Sequence, residues 1–205
     1  MLNARWFRNK VWRQLLELAT PEGASSYRDF TFKNWCLRRL GARVGENVAV
    51  GRRFDCFLHL LAALDIGDHV NISNDVSIYA FGKVSIGSFT AIASHCVFTN
   101  GTHDISSHQP KAGRLVIGRG VFIGLGVRII GPVTVGDNAL IAAGATVISD
   151  VPAGMVMAGN PAKCIGRRPL AQRVWHFPDL WYDPKTFALT DGPAGGTRPL
   201  SPDEP

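Results

Sequence analysis

Residues 117–152 read IGRGVF, IGLGVR, IIGPVT, VGDNAL, IAAGAT and VISDVP, consecutive hexads with nothing between them. The first position is always Ile or Val, and the fifth is always Val or Ala. Neither the 3.6-residue period of a helix nor the two-residue alternation of a half-buried strand generates a repeat of six. A coil with three short flat faces does. The first residue of each hexad points inward, and the fifth must be small enough for the corner. Glycine recurs at the second position, where its backbone freedom is expected to ease the turn. Stacked coils bury a continuous aliphatic column and pair their edges about 4.8 Å apart. The stretch therefore specifies a parallel β-helix.

The pattern extends upstream through VGENVA (44), VGRRFD (50), IGDHVN (66), ISNDVS (72), IGSFTA (86) and IASHCV (92). Grouped by threes, the first positions are 44, 50, 56; 66, 72, 78; 86, 92, 98; 117, 123, 129; and 135, 141, 147. All are Ile, Val or Phe except Cys56. The expected architecture is a β-helix of about five coils with N-terminal helices and an irregular C-terminal tail. Insertions follow residues 61, 83 and 103, each after a third hexad, so all emerge at one corner. The longest, Asp104–Val116, begins just after His103 within NGTHDISSHQP (100–110). A loop of that length inside a compact repeat is usually functional or disordered.

The expected division is a helical arm or cap over 1–43, the repeat domain over 44–168 with loop 104–116, and an extension over 169–205. Phe7, Val11, Leu15 and Leu18 form an apolar helical stripe accompanied by Arg5, Arg8, Lys10 and Arg13. A second helix is expected over Asp29–Leu40, stopping at Gly41. Residues 1–43 carry nine Lys/Arg against three Asp/Glu, and the remainder carries thirteen of each. The net charge of +6 thus belongs to the arm. Such an arm fits a cap over the open end of the β-helix, or peripheral contact of residues 5–19 with an anionic membrane. No aromatic-basic motif supports nucleic-acid binding. Cys36, Cys56, Cys96 and Cys164 show no paired spacing, which fits reduced thiols and a cytoplasmic location. No apolar run reaches membrane-spanning length, and no signal-peptide pattern is evident.

Three stretches, GTHD (101–104), IGRGVFIGLGV (117–127) and VISDVPAGMVMAGNPAKCIGRR (147–168), carry a resemblance. Together with the hexads, they are similar to hexapeptide-repeat acyltransferases, above all sugar O-acetyltransferases of the maltose/galactoside and colanic-acid-biosynthesis type. The resemblance covers roughly residues 44–168 and implies a left-handed helix, which periodicity alone does not reveal. It implies acetyl-CoA as co-substrate, no metal, a carbohydrate acceptor such as a polysaccharide precursor, and a homotrimer with sites between adjacent prisms. By resemblance His103 is the general base. A sugar hydroxyl is a poor nucleophile, and an imidazole with a pKa of about 6.5 can accept its proton. The resemblance places Asp75, Asp104 and Phe122 toward the acceptor. It places Gly124, Leu125, Ala143, Lys163, Arg167 and Arg168 along coenzyme A. Backbone N–H groups near Gly124–Gly126 are candidate oxyanion donors.

Each of these positions also has a plainer reading: His103 as a corner residue, Asp75 as a solvated turn carboxylate, Phe122 as packing, and the basic cluster as a solvated tail. Ile148-Ser149 departs from the Thr-Lys that relatives often carry there, removing one expected cationic contact. Two rival functions remain open. A zinc lyase of the γ-carbonic-anhydrase kind could draw on His69, His95, His103 and His108. A non-catalytic β-helix scaffold would need none of them.

Overall fold

The computed structural model describes residues 30–56, 63–171, 174–176 and 180–190. The apolar stripe at 7–18 and the proposed membrane contact at 5–19 lie outside them. The chain divides into two compact units, 1–168 and 169–205.

The first unit is a three-sided solenoid of parallel strands. Face A stacks β1 (Arg43–Val44), β4 (Leu64–Ile66), β7 (Val84–Ile86), β12 (Leu115–Ile117) and β15 (Thr134–Val135). Face B stacks β2 (Ala49–Val50), β5 (Asn71–Ile72), β8 (Ala91–Ile92), β13 (Phe122–Ile123), β16 (Leu140–Ile141) and β18 (Met155–Ala158). An antiparallel strand, β19 (Lys163–Arg167), closes the top of face B. Face C stacks β3 (Asp55–Cys56), β6 (Ser77–Tyr79), β9 (Val97–Thr99), β14 (Arg128–Ile130) and β17 (Thr146–Val147).

All the first-position residues fall into three inward columns. On face A, Val44, Ile66, Ile86, Ile117 and Val135 stack in register. Val50, Ile72, Ile92, Ile123 and Ile141 do so on face B. Cys56, Ile78, Phe98, Ile129 and Val147 complete face C. Except for Cys56, which packs against the cluster from a partly buried position, these residues form the buried core.

The second-position glycines have a different cause from the one expected. None of Gly45, Gly67, Gly87, Gly118 and Gly136 has positive φ; each donates its N–H to the next coil at 2.8 Å. A Cβ on Gly87 would lie 2.5 Å from the carbonyl carbon of Gly118, so close approach of coils demands glycine. The left-handed residue is instead the fourth of the hexad. Asn47, His69, Phe89, Gly120 and Asn138 occupy it along the edge between faces A and B. Arg53, Asp75, His95, Gly126 and Gly144 occupy it along the B/C edge. Among the described residues the C/A edge has no such uniform turn, and the insertions after 83 and 103 leave there.

Helix α1 (Phe30–Arg39) caps the lower end. Its stop is a Schellman arrangement: Gly41 at φ 106°, with bonds from Ala42 N to Leu37 O and from Gly41 N to Arg38 O, both 3.0 Å. Coil one has no coil beneath it, and α1 supplies the missing donors. Lys33 Nζ, on a residue only 2% exposed, donates to Gly51 O. Asn34 Nδ2 donates to Val48 O at 2.7 Å, and Arg38 donates to Val44 O and Gly45 O. Cys36 and Leu37 enter the core.

In the second unit, β20 (Val174–His176), β21 (Leu180–Tyr182) and β22 (Leu189–Thr190) form an antiparallel sheet. Tyr182 is buried there and stacks on Phe187. Here the structure corrects the expectation of an irregular C-terminal tail, because residues 174–190 include a regular antiparallel sheet.

The cap generates a stability expectation. Leu37→Ala should cost about 2–5 kcal/mol, the range for deleting a buried leucine side chain. A urea midpoint unchanged from wild type would show that α1 contributes nothing to closing the solenoid.

Candidate active site

The long insertion is a folded arm. Gly101–His103 (β10) pairs antiparallel with Pro110–Ala112 (β11), placing His103 opposite Pro110. The excursion therefore begins at Gly101, before His103, and His103 stands on the arm itself with an exposed side chain. Asp104 builds the tip. Its Oδ1 accepts from the backbone N–H of Ser106 and Ser107, both at 3.0 Å, and from their hydroxyls. Its Oδ2 pairs with Lys111 Nζ at 2.6 Å. The Lys111 contact first, then the serine donors, hold the Asp104 carboxyl well below the usual carboxylate range. Both oxygens are engaged inside the arm, an occupation that the acceptor-binding expectation did not foresee.

Asp75 lies on the B/C edge. Its carboxylate takes a two-point contact from Arg53, with Nη2 2.6 Å from Oδ2, and this pair pulls its pKa down. His95 Nδ1 is 3.9 Å from the same carboxylate. Above His95 the edge changes character. Gly126 and Gly144 follow, and a Cβ on either would meet no atom within 4 Å. Leu125, 54% exposed, and Ala143 flank them. The result is an open notch along the upper B/C edge. Gly124 is there for another reason: its Cβ would lie 2.6 Å from Ala143 N. The N–H groups of Gly124 and Gly126 donate to Ile141 O and Ser94 O at 2.8 and 3.0 Å. As oxyanion donors these two are corrected, because the coil ladder already uses them.

Phe122 points outward from face B, half-exposed, in a row with Asn71, Ala91 and Leu140. One prism thus gathers Asp75, Leu125 and Ala143 at the B/C edge, with Phe122 pointing outward from the adjoining face B. His103 and Asp104 sit at the C/A edge. The two edges bound face C, whose middle three strands, of three residues each, span about 10 Å. One chain carries two separated halves.

A model of the bacterial transferase hexapeptide, six repeats, matches residues 114–149. WcaF of Escherichia coli, named as a colanic acid biosynthesis acetyltransferase, is 30% identical over 141 residues, covering 68% of this chain and 76% of its own length. The chain belongs to the hexapeptide-repeat acetyltransferase family. A Saccharomyces cerevisiae protein named as an acetyltransferase is 38% identical over 138 residues, 65% of this chain and 69% of its own. A maltose O-acetyltransferase from Clostridium difficile superposes with a TM-score of 0.68 at 24% identity, covering 82% of this chain and 90% of its own. A galactoside acetyltransferase in complex with coenzyme A gives 0.66 at 24% identity, covering 80% of each chain. At that identity the likeness carries the fold, the left-handed β-helix.

Within this family member the basic cluster divides. Strand β19 pairs antiparallel with β18, setting Lys163 opposite Ala158 at the B/C end and Arg167 opposite Met155 at the A/B end. Arg168 turns onto the A/B edge, where Nη1 reaches Gly120 O at 2.8 Å and the carbonyls of Asn138 and Ala139 at 3.3 Å. Lys163 alone shares an edge with the notch. The histidines are equally dispersed. His69 stacks on Phe89 at the A/B edge, His95 is at the B/C edge, and His103 and His108 belong to the arm. Among the described residues no group of three or more His, Cys, Asp or Glu side chains is arranged to hold a metal ion.

The sequence reading passed over Asn100. It is fully buried where the register puts Ala80 in the coil below and Gly131 in the coil above. A carboxamide in a column of small residues is the signal that would have found it.

The division of the cluster predicts different costs. Arg168→Ala should lower stability by about 1.5–3 kcal/mol, the scale for hydrogen bonds from a charged donor. Exposed Arg167→Ala should change it by less than about 0.5 kcal/mol. Equal urea midpoints for the two variants would refute the clamp.

Proposed function

We propose that this acetyltransferase moves the acetyl group of acetyl-CoA to a hydroxyl of a sugar, with His103 as general base. The observation that carries this reading is the separation of an exposed histidine arm at one edge from an open glycine notch at another. A single prism cannot join them, whereas prisms packed around a threefold axis can set one chain's arm against its neighbour's notch. On face C exposed Tyr79 and Ile130, in one row with half-buried Thr99 and continued by exposed Ile148, supply apolar surface for such packing. Acetyl-CoA is the ligand of a hexapeptide-repeat acetyltransferase from Vibrio cholerae of the same fold, and is carried to this chain as donor. The sugar acceptor is carried over from the maltose and galactoside enzymes, and a polysaccharide precursor from WcaF.

In this mechanism the neutral imidazole of His103 takes the hydroxyl proton as the sugar oxygen attacks the thioester carbonyl. The tetrahedral intermediate collapses, the carbon–sulfur bond breaks, and the departing thiolate receives that proton from the imidazolium. No acyl-enzyme forms. Pantetheine follows the notch of Leu125, Gly126, Ala143 and Gly144, and Lys163 meets a phosphate of coenzyme A at its end. The cytoplasm is the proposed compartment. The free cysteines Cys36, Cys56, Cys96 and Cys164 fit it. No described helix is long and apolar enough to cross a membrane.

Thiol release from acetyl-CoA, measured with glucose, galactose, mannose, fucose and their nucleotide-diphosphate forms, tests the reading. His103→Ala should lower turnover about 10²–10⁴-fold, the scale for losing a general base. Ala143→Trp should fill the notch and inactivate its own edge. Coexpressed, the two inactive chains should regain activity in mixed trimers, because some sites then combine an intact arm with an intact notch. Full activity of His103→Ala, or no recovery on mixing, would sink the shared-site mechanism.

Lys163→Ala should raise KM for acetyl-CoA several-fold with kcat nearly constant, since a phosphate contact binds ground and transition states alike. The Arg167→Ala variant serves as the control. An equal rise in both variants would place the phosphate elsewhere.

A further inference from the structure

We infer that Asn100 is a positioning residue for His103, an assignment that rests on the general-base reading above. The argument begins with what the arm removes. Where the chain leaves the coil at Gly101, the turn beneath loses the peptides that would have stacked on it. The carboxamide of Asn100 takes their place. Its Oδ1 accepts from Phe81 N at 2.7 Å and Gly82 N at 3.2 Å. Its Nδ2 donates to Gly113 O at 2.8 Å and Lys83 O at 3.3 Å. Its own carbonyl accepts from Gly113 N at 3.1 Å. Two acceptor sites and two donors exhaust the carboxamide. One buried side chain thereby ties both feet of the arm, residues 100 and 113, to the coil below.

The arm is internally braced, by the β10–β11 pairing and by Asp104 at its tip. Its internal geometry is therefore set within itself, and its direction from the prism is set at its base. A second contact acts at the same place: a Cβ on Gly101 would lie 2.2 Å from Cδ2 of Phe81, so glycine lets that ring lie against the foot of β10. His103 stands three residues from Asn100, about 10 Å of extended chain. A tilt of about 6° at the base would move the imidazole by about 1 Å, and a displacement of that size can cost about 10²-fold in rate. Asparagine is chemically specific here. Aspartate has the shape but no donor for Gly113 O and Lys83 O, and serine is too short to reach both sides.

Asn100→Asp and Asn100→Ser test the assignment, with the fastest sugar from the acceptor panel as probe. Each variant is expected to lower kcat about 10–100-fold while KM for acetyl-CoA stays within about twofold. Amide hydrogen exchange should show faster exchange in residues 101–112 and unchanged protection in 115–147. Wild-type kcat in both variants, or protection lost uniformly through the coils, overturns the positioning role. His103→Ala separates the two ideas. If it abolishes turnover and keeps the arm's protection while the Asn100 variants stay active, only the Asn100 assignment falls. If it retains turnover, the general-base reading falls first and takes the positioning role with it.

Discussion

Coil-to-coil hydrogen bonding through the second-position glycines is the constraint on which the remaining structure hangs. Gly45, Gly67, Gly87, Gly118 and Gly136 bring each peptide within 2.8 Å of the next coil, at a spacing that leaves no room for a Cβ. That closeness forces the inward residues into vertical register, so each must match its neighbours above and below in size. It also requires two corners to turn identically in every coil, with a left-handed residue at the fourth position. The third corner escapes this uniformity. All the freedom of the fold is concentrated there, and so is the candidate base.

Nearly all of the scaffold was legible because it is local and repeated. A branched aliphatic residue at each first position can be read without knowing what lies above it, and Val44, Ile66, Ile86, Ile117 and Val135 stack as their spacing implies. The site was legible only where a residue's surroundings are set by its own hexad. Leu125 and Ala143 were singled out by the resemblance, and the structure leaves both exposed beside the glycines of the B/C edge, within their own hexads. The contacts of Asn100 and Arg168, and the split between Lys163 and Arg167, were not legible. Asn100 and Arg168 depend on distant partners, the 81–83 turn and Gly120, and the split of Lys163 from Arg167 depends on an antiparallel reversal that breaks the period after the last coil. The role of glycine was misplaced for a related reason. Its flexibility is visible in one dimension, but the crowding that selects it comes from the next coil.

Electrostatics at the edges follow the same geometry. Stacking residues of identical hexad position brings side chains that are about twenty apart in sequence into direct contact. Arg53 beneath Asp75 beneath His95 is the result, a ladder in which the Asp75 carboxylate meets a guanidinium from the coil below and an imidazole from the coil above. The glycines at 126 and 144 end the ladder and leave the upper edge bare. A charged lower edge and a vacant upper one arise from the choice of a single repeated position.

A stack of hydrogen-bonding coils has no intrinsic reason to stop, and two bare ends would invite copies to join into fibres. Both ends here are occupied. Below, Lys33, Asn34 and Arg38 engage carbonyls that another molecule's coil would otherwise seek. Above, Gly159 and Ala162 close on Thr146, Val151 bridges Val135, and β19 runs backwards across face B with a register shift and two cations. These contacts oppose growth along the axis, and the proposed threefold packing uses the faces instead. A protein made of repeats thereby keeps a finite length while its sides stay available to copies of itself.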